Sequence, residues 1–150
     1  MSALILGGGM MGLAIAHDLI KNSVSVTIAD INEKCLEKMT SIKNKVEFFP
    51  LDAKSEETKK IMKKNDVVIS ALPYDFNYKL AKTAIECRTH FCDLGGNIDM
   101  VERELSLHEK AKEANVLIIP DCGLAPGITN VVASHLIKKI HGIKEIHIRV

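Results

Sequence analysis

Residues 3–12 read ALILGGGMMG, an apolar run followed at once by three consecutive glycines and then by a fourth at position 12. The run predicts a buried β-strand, and Gly7, Gly9 and Gly12 form the pattern G-x-G-x-x-G at its end. In a strand-turn-helix unit, such glycines permit a tight turn, a close approach of backbone to phosphate, and close packing of helix on sheet. The stretch therefore predicts an α/β sheet whose first turn holds a pyrophosphate at a helix N-terminus.

A carboxylate follows at the distance that this pattern requires. The apolar segment Val24–Ala29 ends at Asp30, eighteen residues after Gly12. A carboxylate there accepts hydrogen bonds from the ribose hydroxyls of a dinucleotide and repels a 2′-phosphate of like charge, so NAD is predicted rather than NADP. Two alternatives stay open, because Lys34 is near enough in sequence to pair with a phosphate and because Asp30 would also suit the cap of a helix starting near Asn32.

Apolar runs alternate with helical patterns along the rest of the chain. The predicted strands are Ala3–Leu6, Val24–Ala29, Val46–Phe49, Asp66–Leu72, His90–Leu94 and Val116–Pro120. The predicted helices are Met10–Lys21, Glu33–Thr40, Ser55–Lys64, Phe76–Cys87 and Glu102–Ala114, with Ser55 as an N-cap. Because the strands are almost continuously apolar, as parallel strands covered on both faces must be, we predict a doubly wound Rossmann sheet of order 3-2-1-4-5-6.

Composition excludes several other classes of protein. The chain has 150 residues, 47% of them hydrophobic, which is enough for the core of one domain. Its net charge of +1 favours neither a nucleic acid nor a membrane as partner, and its first apolar run is too short for a signal or a spanning helix. Its four cysteines contain no C-x-x-C pair, so no metal site or disulfide framework is predicted. We expect a cytoplasmic protein.

Aspartates end or follow four of the predicted strands, at the edge where such sheets bind ligands. Asp52 follows the third strand and is expected near adenine, whereas Asp93 ends the fifth, Asp121 follows the sixth, and both are expected near nicotinamide. By their position at this edge, either of the latter two is a candidate general base. Turn capping is the alternative role for each aspartate.

Three loops at this edge are rich in Gly and Pro, at 70–74, 93–97 and 121–127, and they let a flat ring approach the backbone. The predicted cofactor-binding residues are Gly7, Gly9, Met10, Met11, Gly12, Asp30, Asp52, Ala71, Leu72, Pro73 and Gly95.

The glycine turn, the loop Ser70–Tyr74, the segment Asp93–Gly96 and the block Pro120–Gly127 together resemble the saccharopine dehydrogenase-like family, and within it the lysine 6-dehydrogenases. The resemblance covers essentially the whole chain. It implies the N-terminal cofactor domain of an NAD-dependent enzyme that oxidises the ε-amine carbon of L-lysine to the 6-semialdehyde and releases ammonia. Saccharopine reductases and carboxynorspermidine dehydrogenases are the alternatives, but they usually carry an acid where this chain has Ala125.

The last residues, 145–150, alternate polar and apolar with period two and predict a further strand. The family places its amino-acid substrate between this domain and a second one. We therefore expect residues 1–142 to form the dinucleotide-binding domain and 143–150 to open a substrate domain outside this chain, through which the enzyme forms a homo-oligomer. A free-standing NAD-binding module is the alternative.

Overall fold

The computed structural model describes residues 1–38, 40 and 42–148, and a six-stranded sheet lies at its centre. The strands are β1 Ser2–Leu6, β2 Ser25–Asp30, β3 Val46–Pro50, β4 Val67–Ser70, β5 His90–Asp93 and β6 Ile118–Ile119. Every neighbouring pair is parallel, and the order is β3-β2-β1-β4-β5-β6. The predicted Rossmann sheet and its strand order are confirmed.

Helices connect the strands and cover both faces of the sheet. They are α1 Met10–Lys21, α2 Cys35–Lys38, α3 Glu57–Met62, α4 Asn77–Cys87, α5 Ile98–Leu105, α6 His108–Ala114 and α7 Ile128–Lys139. Helix α1 has the predicted bounds. Helix α2 is shorter than the predicted Glu33–Thr40, and position 39 of that prediction lies outside the described residues.

Successive residues of β1 pack into two separate cores because strand side chains alternate between faces. Leu4 and Leu6 join a cluster with Met62, Phe91 and other buried residues of the α3–α4 side. Ile5, on the opposite face, packs with Ala16 of α1 and with Ile28. The central strand is thus buried on both faces, which explains its uninterrupted apolar sequence.

The second half of the chain departs from the predicted elements in one helix. The segment predicted as one helix, Glu102–Ala114, forms α5 and α6, which are separated at residues 106–107. Helix α5 begins earlier because the Asn97 side chain accepts a hydrogen bond from the Met100 N–H at 3.0 Å and caps the first turn. The prediction missed this cap because Asn97 follows two glycines and is indistinguishable from turn punctuation by sequence alone.

Two other predicted boundaries are wrong. Ser55 is not the N-cap of α3, which begins at Glu57 with Glu56 as its cap residue, and the Ser55 hydroxyl is buried with no hydrogen bond to the described residues. The strand β6 has only two residues because its sole sheet neighbour in the described structure, β5, pairs with it at Phe91 and Cys92 alone. A strand ends where its ladder ends.

The C-terminal segment is largely exposed. Helix α7 presents apolar side chains to solvent, among them Val131, Val132 and Ile137. Residues 145–148 form no strand, against the prediction, because a period-two pattern becomes a strand only beside a hydrogen-bonding neighbour. Residues 149 and 150 of that prediction lie outside the described residues. No helix in the described ranges is long and apolar enough to cross a membrane.

Two helices end at a residue that is not glycine and yet has left-handed backbone angles. Arg88 closes α4 at φ 56°, and Asn115 closes α6 at φ 57°. At each end the following residue donates a hydrogen bond back into the last turn, Thr89 to the Ala84 carbonyl and Val116 to the Ala111 carbonyl. This is the geometry that glycine adopts at lowest cost.

We predict that Arg88→Gly raises the free energy of unfolding by about 0.5–1 kcal/mol, because glycine removes the Cβ clash of the left-handed conformation. Asn115→Gly should gain less, since asparagine tolerates this conformation better. Urea unfolding of the two variants and the parent checks both values. A loss of stability for Arg88→Gly would contradict the interpretation and assign a stabilising contact to its side chain.

Candidate functional site

The glycine turn between β1 and α1 is held by close backbone packing. Gly7 is buried at φ +102°, and its N–H donates to the Ala29 carbonyl at 2.8 Å. A Cβ on Gly12 would overlap the Gly7 carbonyl, and a Cβ on Gly7 would stand 2.9 Å from the Ala71 carbonyl. Gly7 and Gly12 are therefore required by the packing of α1 on the sheet, whether or not a ligand is bound.

Gly9 differs from the other two glycines of the motif. Its backbone is extended (φ −71°, ψ −170°), and a Cβ built on it would meet no atom of the described residues within 4 Å. It directly precedes α1, whose first turn carries no acidic residue and has no side-chain cap within the described ranges. Open space beside the uncapped N-terminus of a twelve-residue helix fits an anionic pyrophosphate.

Met10 and Met11 form the first turn of that helix and lie at the rim of the same space. Met10 is 84% exposed and Met11 42%. Both side chains lie beside the helix N-terminus, where the first amides of a helix lack a partner within it and can serve a bound phosphate.

Asp30 ends β2 beside the turn and is half-buried. One carboxylate oxygen accepts from the Gly8 N–H at 2.6 Å and the other from the Asn32 N–H at 2.7 Å. The alternative role as a helix cap is wrong, because α2 begins only at Cys35. These two amides hold the carboxylate at the glycine turn and still leave it lone pairs to accept hydroxyl protons.

Asp52 lies just beyond the end of β3, the strand that pairs with β2 and so lies next to Asp30. The register pairs Asp30 with Pro50, which puts Asp52 just past the same edge. It is exposed, and its Oδ1 accepts from the Lys54 N–H at 2.9 Å. Asp52 thus shapes its own turn and faces solvent at the end of the edge expected to hold adenine.

The loop after β4 packs directly on the glycine turn. The Ala71 N–H donates to the Leu6 carbonyl at 2.8 Å, and Leu72 Cδ2 would stand 3.2 Å from a Cβ on Gly7. Pro73 is exposed and precedes a short 3₁₀ turn at Tyr74–Phe76. The structure therefore brings Ala71 and Leu72 to the glycine turn.

A buried hydrogen bond beneath this loop was not predicted. The Ser70 hydroxyl donates to Asn77 Oδ1 at 2.8 Å, and both residues are almost fully buried. The bond joins the end of β4 to the first residue of α4 and so fixes both ends of the loop that carries Pro73. In the sequence, only an asparagine at the start of a helix, Asn77, pointed to this bond, and such an asparagine is usually interpreted as a helix cap.

The loops after β5 and β6 meet through Asp93. This side chain is 0% exposed, and its Oδ1 accepts from the Gly95 N–H at 2.6 Å and from the Asp121 N–H at 3.3 Å. Its backbone carbonyl accepts from the Cys122 N–H at 2.8 Å. Gly95 has φ +71°, and any Cβ there would overlap the Asp121 carboxylate. The two candidate bases are thus brought together, with Asp93 inside and Asp121 half-exposed.

Glu104, on α5, is a second buried acid that sequence reasoning missed. It is 1% exposed, and burial raises the pKa of its carboxyl to about 8, with the negative charges of Asp93 and Asp121 adding to the shift. Burial also raises the pKa of Asp93, against the lowering effect of its two backbone hydrogen bonds. The signal was present in the sequence: Glu104 occupies the helical spacing of Val101 and Leu107, an otherwise apolar row.

Cys122 lies in the same loop. Desolvation of its sulfur, with Asp93 and Asp121 nearby, raises the pKa of the thiol and so favours the neutral thiol over the nucleophilic thiolate. Within the described part of the chain, no three His, Cys, Asp or Glu side chains are placed to hold a metal ion.

A family model and several curated proteins match this chain. The family model described as the saccharopine dehydrogenase NADP binding domain matches residues 3–119. The chain is 35% identical over 123 residues to alpha-aminoadipic semialdehyde synthase of Arabidopsis thaliana, a match covering 81% of this chain and 11% of that protein. It is 26% identical over 141 residues to a saccharopine dehydrogenase [NADP(+), L-glutamate-forming] of Pyricularia oryzae, covering 93% of this chain and 31% of that protein.

Solved structures show the same fold. The saccharopine dehydrogenase (L-Glu forming) of Saccharomyces cerevisiae superposes with a TM-score of 0.76 at 24% identity, covering 93% of this chain and 31% of that one. A probable dehydrogenase from Thermotoga maritima superposes with a TM-score of 0.60 at 17% identity, over 80% of this chain and 35% of that one.

The chain thus spans 11% to 31% of the length of these curated relatives. Since the family model covers most of the 150 residues, from the first strand to the last, the protein belongs to the saccharopine dehydrogenase family as a pyridine nucleotide-binding domain.

Proposed function

We propose that this chain is the cofactor-binding portion of an amino-acid dehydrogenase that uses NAD to oxidise the ε-amine carbon of L-lysine. The observation that carries the cofactor part is the open space at Gly9, bounded by the N-terminus of α1 and by the Asp30 carboxylate. The backbone amides of Gly9, Met10, Met11 and Gly12 would hold the pyrophosphate, and Gly7, whose own N–H donates to Ala29, would form the turn that brings it to them.

The preference for NAD rests on Asp30. Its carboxylate is held at the turn by two backbone amides, where it would accept both ribose hydroxyls and would repel a 2′-phosphate. The family description and the names of the saccharopine dehydrogenases specify NADP. Lys34 is the exposed cation that would serve NADP instead. The affinities of Asp30→Ala for NAD and for NADP decide between the two cofactors.

The remaining predicted residues would surround the rest of the cofactor. Asp52 would lie near adenine, while Ala71, Leu72, Pro73 and Gly95 would form the wall toward nicotinamide. Their support is the contact between the loop after β4 and Gly7, and the exposure of Asp52 at the end of the same edge.

The bound cofactor would supply the hydride chemistry, and the chain would supply orientation and a proton acceptor. The substrate ammonium must lose a proton before the adjacent carbon loses a hydride, and water then converts the imine to aldehyde and ammonia. Asp121 is the better placed of the two candidate bases, because it is half-exposed at the edge whereas Asp93 is fully buried.

A second candidate is supported by the names of the relatives. A saccharopine-type enzyme forms or cleaves the C–N bond between an amino acid and an aldehyde by the same hydride transfer, and two of the curated relatives are saccharopine dehydrogenases. Ala125, where those enzymes usually carry an acid, favours lysine oxidation. Assays of L-lysine and saccharopine with an enzyme that includes this chain decide between them.

The partners follow from the same proposal. The substrate is a small amino acid, bound between residues 1–142 and a second domain that would begin near residue 143 and mediate homo-oligomer formation. The cytoplasm is the proposed compartment.

Gly9→Val should abolish cofactor binding without unfolding the chain, because its side chain would enter only the open space. We expect the dissociation constant for NAD to rise by roughly a hundredfold or more, with an unchanged melting temperature. Gly12→Val is the matched control, since its Cβ would overlap the Gly7 carbonyl and prevent native folding. Normal cofactor binding by folded Gly9→Val would refute the location of the site.

Asp30→Ala should weaken NAD binding by roughly 10- to 100-fold, the usual cost of hydrogen bonds to a charged group, and leave NADP binding unchanged or improved. Isothermal titration with each cofactor measures this. Asp18→Ala is the control because Asp18 is an exposed aspartate on α1. An equal loss for NAD and NADP would show that Asp30 holds the turn without selecting the cofactor.

A further inference from the structure

Three buried carboxylate oxygens near the end of β5 have no visible hydrogen-bond donor. They are Oδ2 of Asp93 and both oxygens of Glu104, and the described structure offers them none. Asp93 is 0% exposed and Glu104 1%. Leaving buried acceptors unpaired is costly, and leaving two buried carboxylates charged side by side is more so.

A proton on one of the two acids would remove both costs. A hydrogen bond between the two side chains would raise the pKa of Glu104 and lower that of Asp93. Asp93 already accepts two backbone N–H groups on Oδ1, which stabilise its charged form, whereas Glu104 accepts none. The proton therefore belongs on Glu104, and Asp93 Oδ2 is the acceptor.

We propose that Glu104 stays protonated in the folded protein and donates a hydrogen bond to Asp93 Oδ2, which makes it a positioning residue for the Gly95 turn and Asp121. Its influence passes through Asp93, because the same carboxylate holds the amides of both loops. The part that concerns the cofactor rests on the proposed function, which puts nicotinamide at these loops.

None of the other charged groups around Glu104 forms a hydrogen bond with its carboxyl oxygens in the described structure. A surface cavity of about 540 Å³ beside β6 is bordered by Glu104 together with His90, His108 and Lys112. His90 Nδ1 accepts from the Leu117 N–H at 3.0 Å, and His108 is paired with Glu109 at 3.8 Å. Helix α4 packs against α5, but its Tyr78 ring contacts Arg103, at 4.3 Å from the centroid. Asp121 adds only further negative charge.

The sign of the pH dependence follows from the raised pKa of Glu104. Below its ordinary value of 4.5 the acid is protonated both folded and unfolded, and it costs no stability. As the pH rises from there to about 8, the unfolded chain loses the proton while the folded chain keeps it, so the free energy of unfolding falls. Above about 8 both states are ionised and the loss is complete.

The experiment is a series of thermal unfolding curves of the 150-residue chain from about pH 5 to pH 9, comparing the parent with Glu104→Gln and Glu102→Gln. Glutamine keeps a neutral donor and cannot ionise. We expect the melting temperature of Glu104→Gln minus that of the parent to increase by roughly 5 °C or more between the lowest and the highest pH of the series. Glu102 is exposed on the same helix, so its variant should follow the parent. Parallel curves for Glu104→Gln and the parent would overturn the proposal.

An infrared titration of the parent chain provides the test if Glu104→Gln fails to fold. A buried carboxylic acid band should persist at pH 7 and disappear around pH 8, because the raised pKa of Glu104 is about 8. Its absence at pH 7 would overturn the proposal.

Cofactor titration separates the pair from the proposed function. NAD affinity of the parent should fall roughly three- to tenfold from about pH 7 to pH 9, and that of Glu104→Gln should stay constant. A pH-dependent stability difference without NAD binding would leave the proton-sharing pair intact and refute its cofactor role. A constant NAD affinity in the parent would refute that positioning role alone.

Discussion

The contact between Gly12 and the Gly7 carbonyl is the constraint on which the candidate site depends. No side chain fits between the first turn of α1 and the end of β1, so the helix lies directly on the sheet with its N-terminus at the carboxyl edge. Because Gly7 has no side chain, Ala71 and Leu72 of the loop after β4 pack against it. The Gly8 N–H donates a hydrogen bond to the Asp30 carboxylate. One close backbone approach therefore brings a helix terminus, a carboxylate and a neighbouring loop together at the carboxyl edge of the sheet.

The two halves of this edge differ in their electrostatics. Around Gly9 the chain offers amides and open space, suited to a phosphate, with a single carboxylate set to the side at Asp30. Around Gly95 it concentrates Asp93, Asp121 and Glu104, and burial raises the pKa of Asp93 and of Glu104. Such a division suits a ligand whose anionic middle lies at the helix and whose ring-bearing end reaches the acids.

The sheet and its order were predictable because most of the strands are largely apolar, and right-handed crossovers leave few arrangements. The glycine turn and the place of Asp30 were predictable because one strand-helix-strand unit, continuous in sequence, sets the spacing between them. The division at 106–107, the Ser70–Asn77 bond and the burial of Glu104 were not, since each depends on a partner distant in sequence or on a side chain's place in the core. The strand predicted at 145–150 shows the same limit, because alternation cannot supply the neighbour that a strand needs.

The central claim is that the glycine turn of this chain binds a pyridine dinucleotide and that Asp30 selects it. Calorimetric titration of the 150-residue chain with NAD and, separately, NADP, at one fixed salt concentration, tests it most directly. We predict saturable binding of one cofactor per chain, with NAD the tighter ligand. A folded chain that binds neither would contradict the cofactor site, and tighter binding of NADP would contradict the role of Asp30.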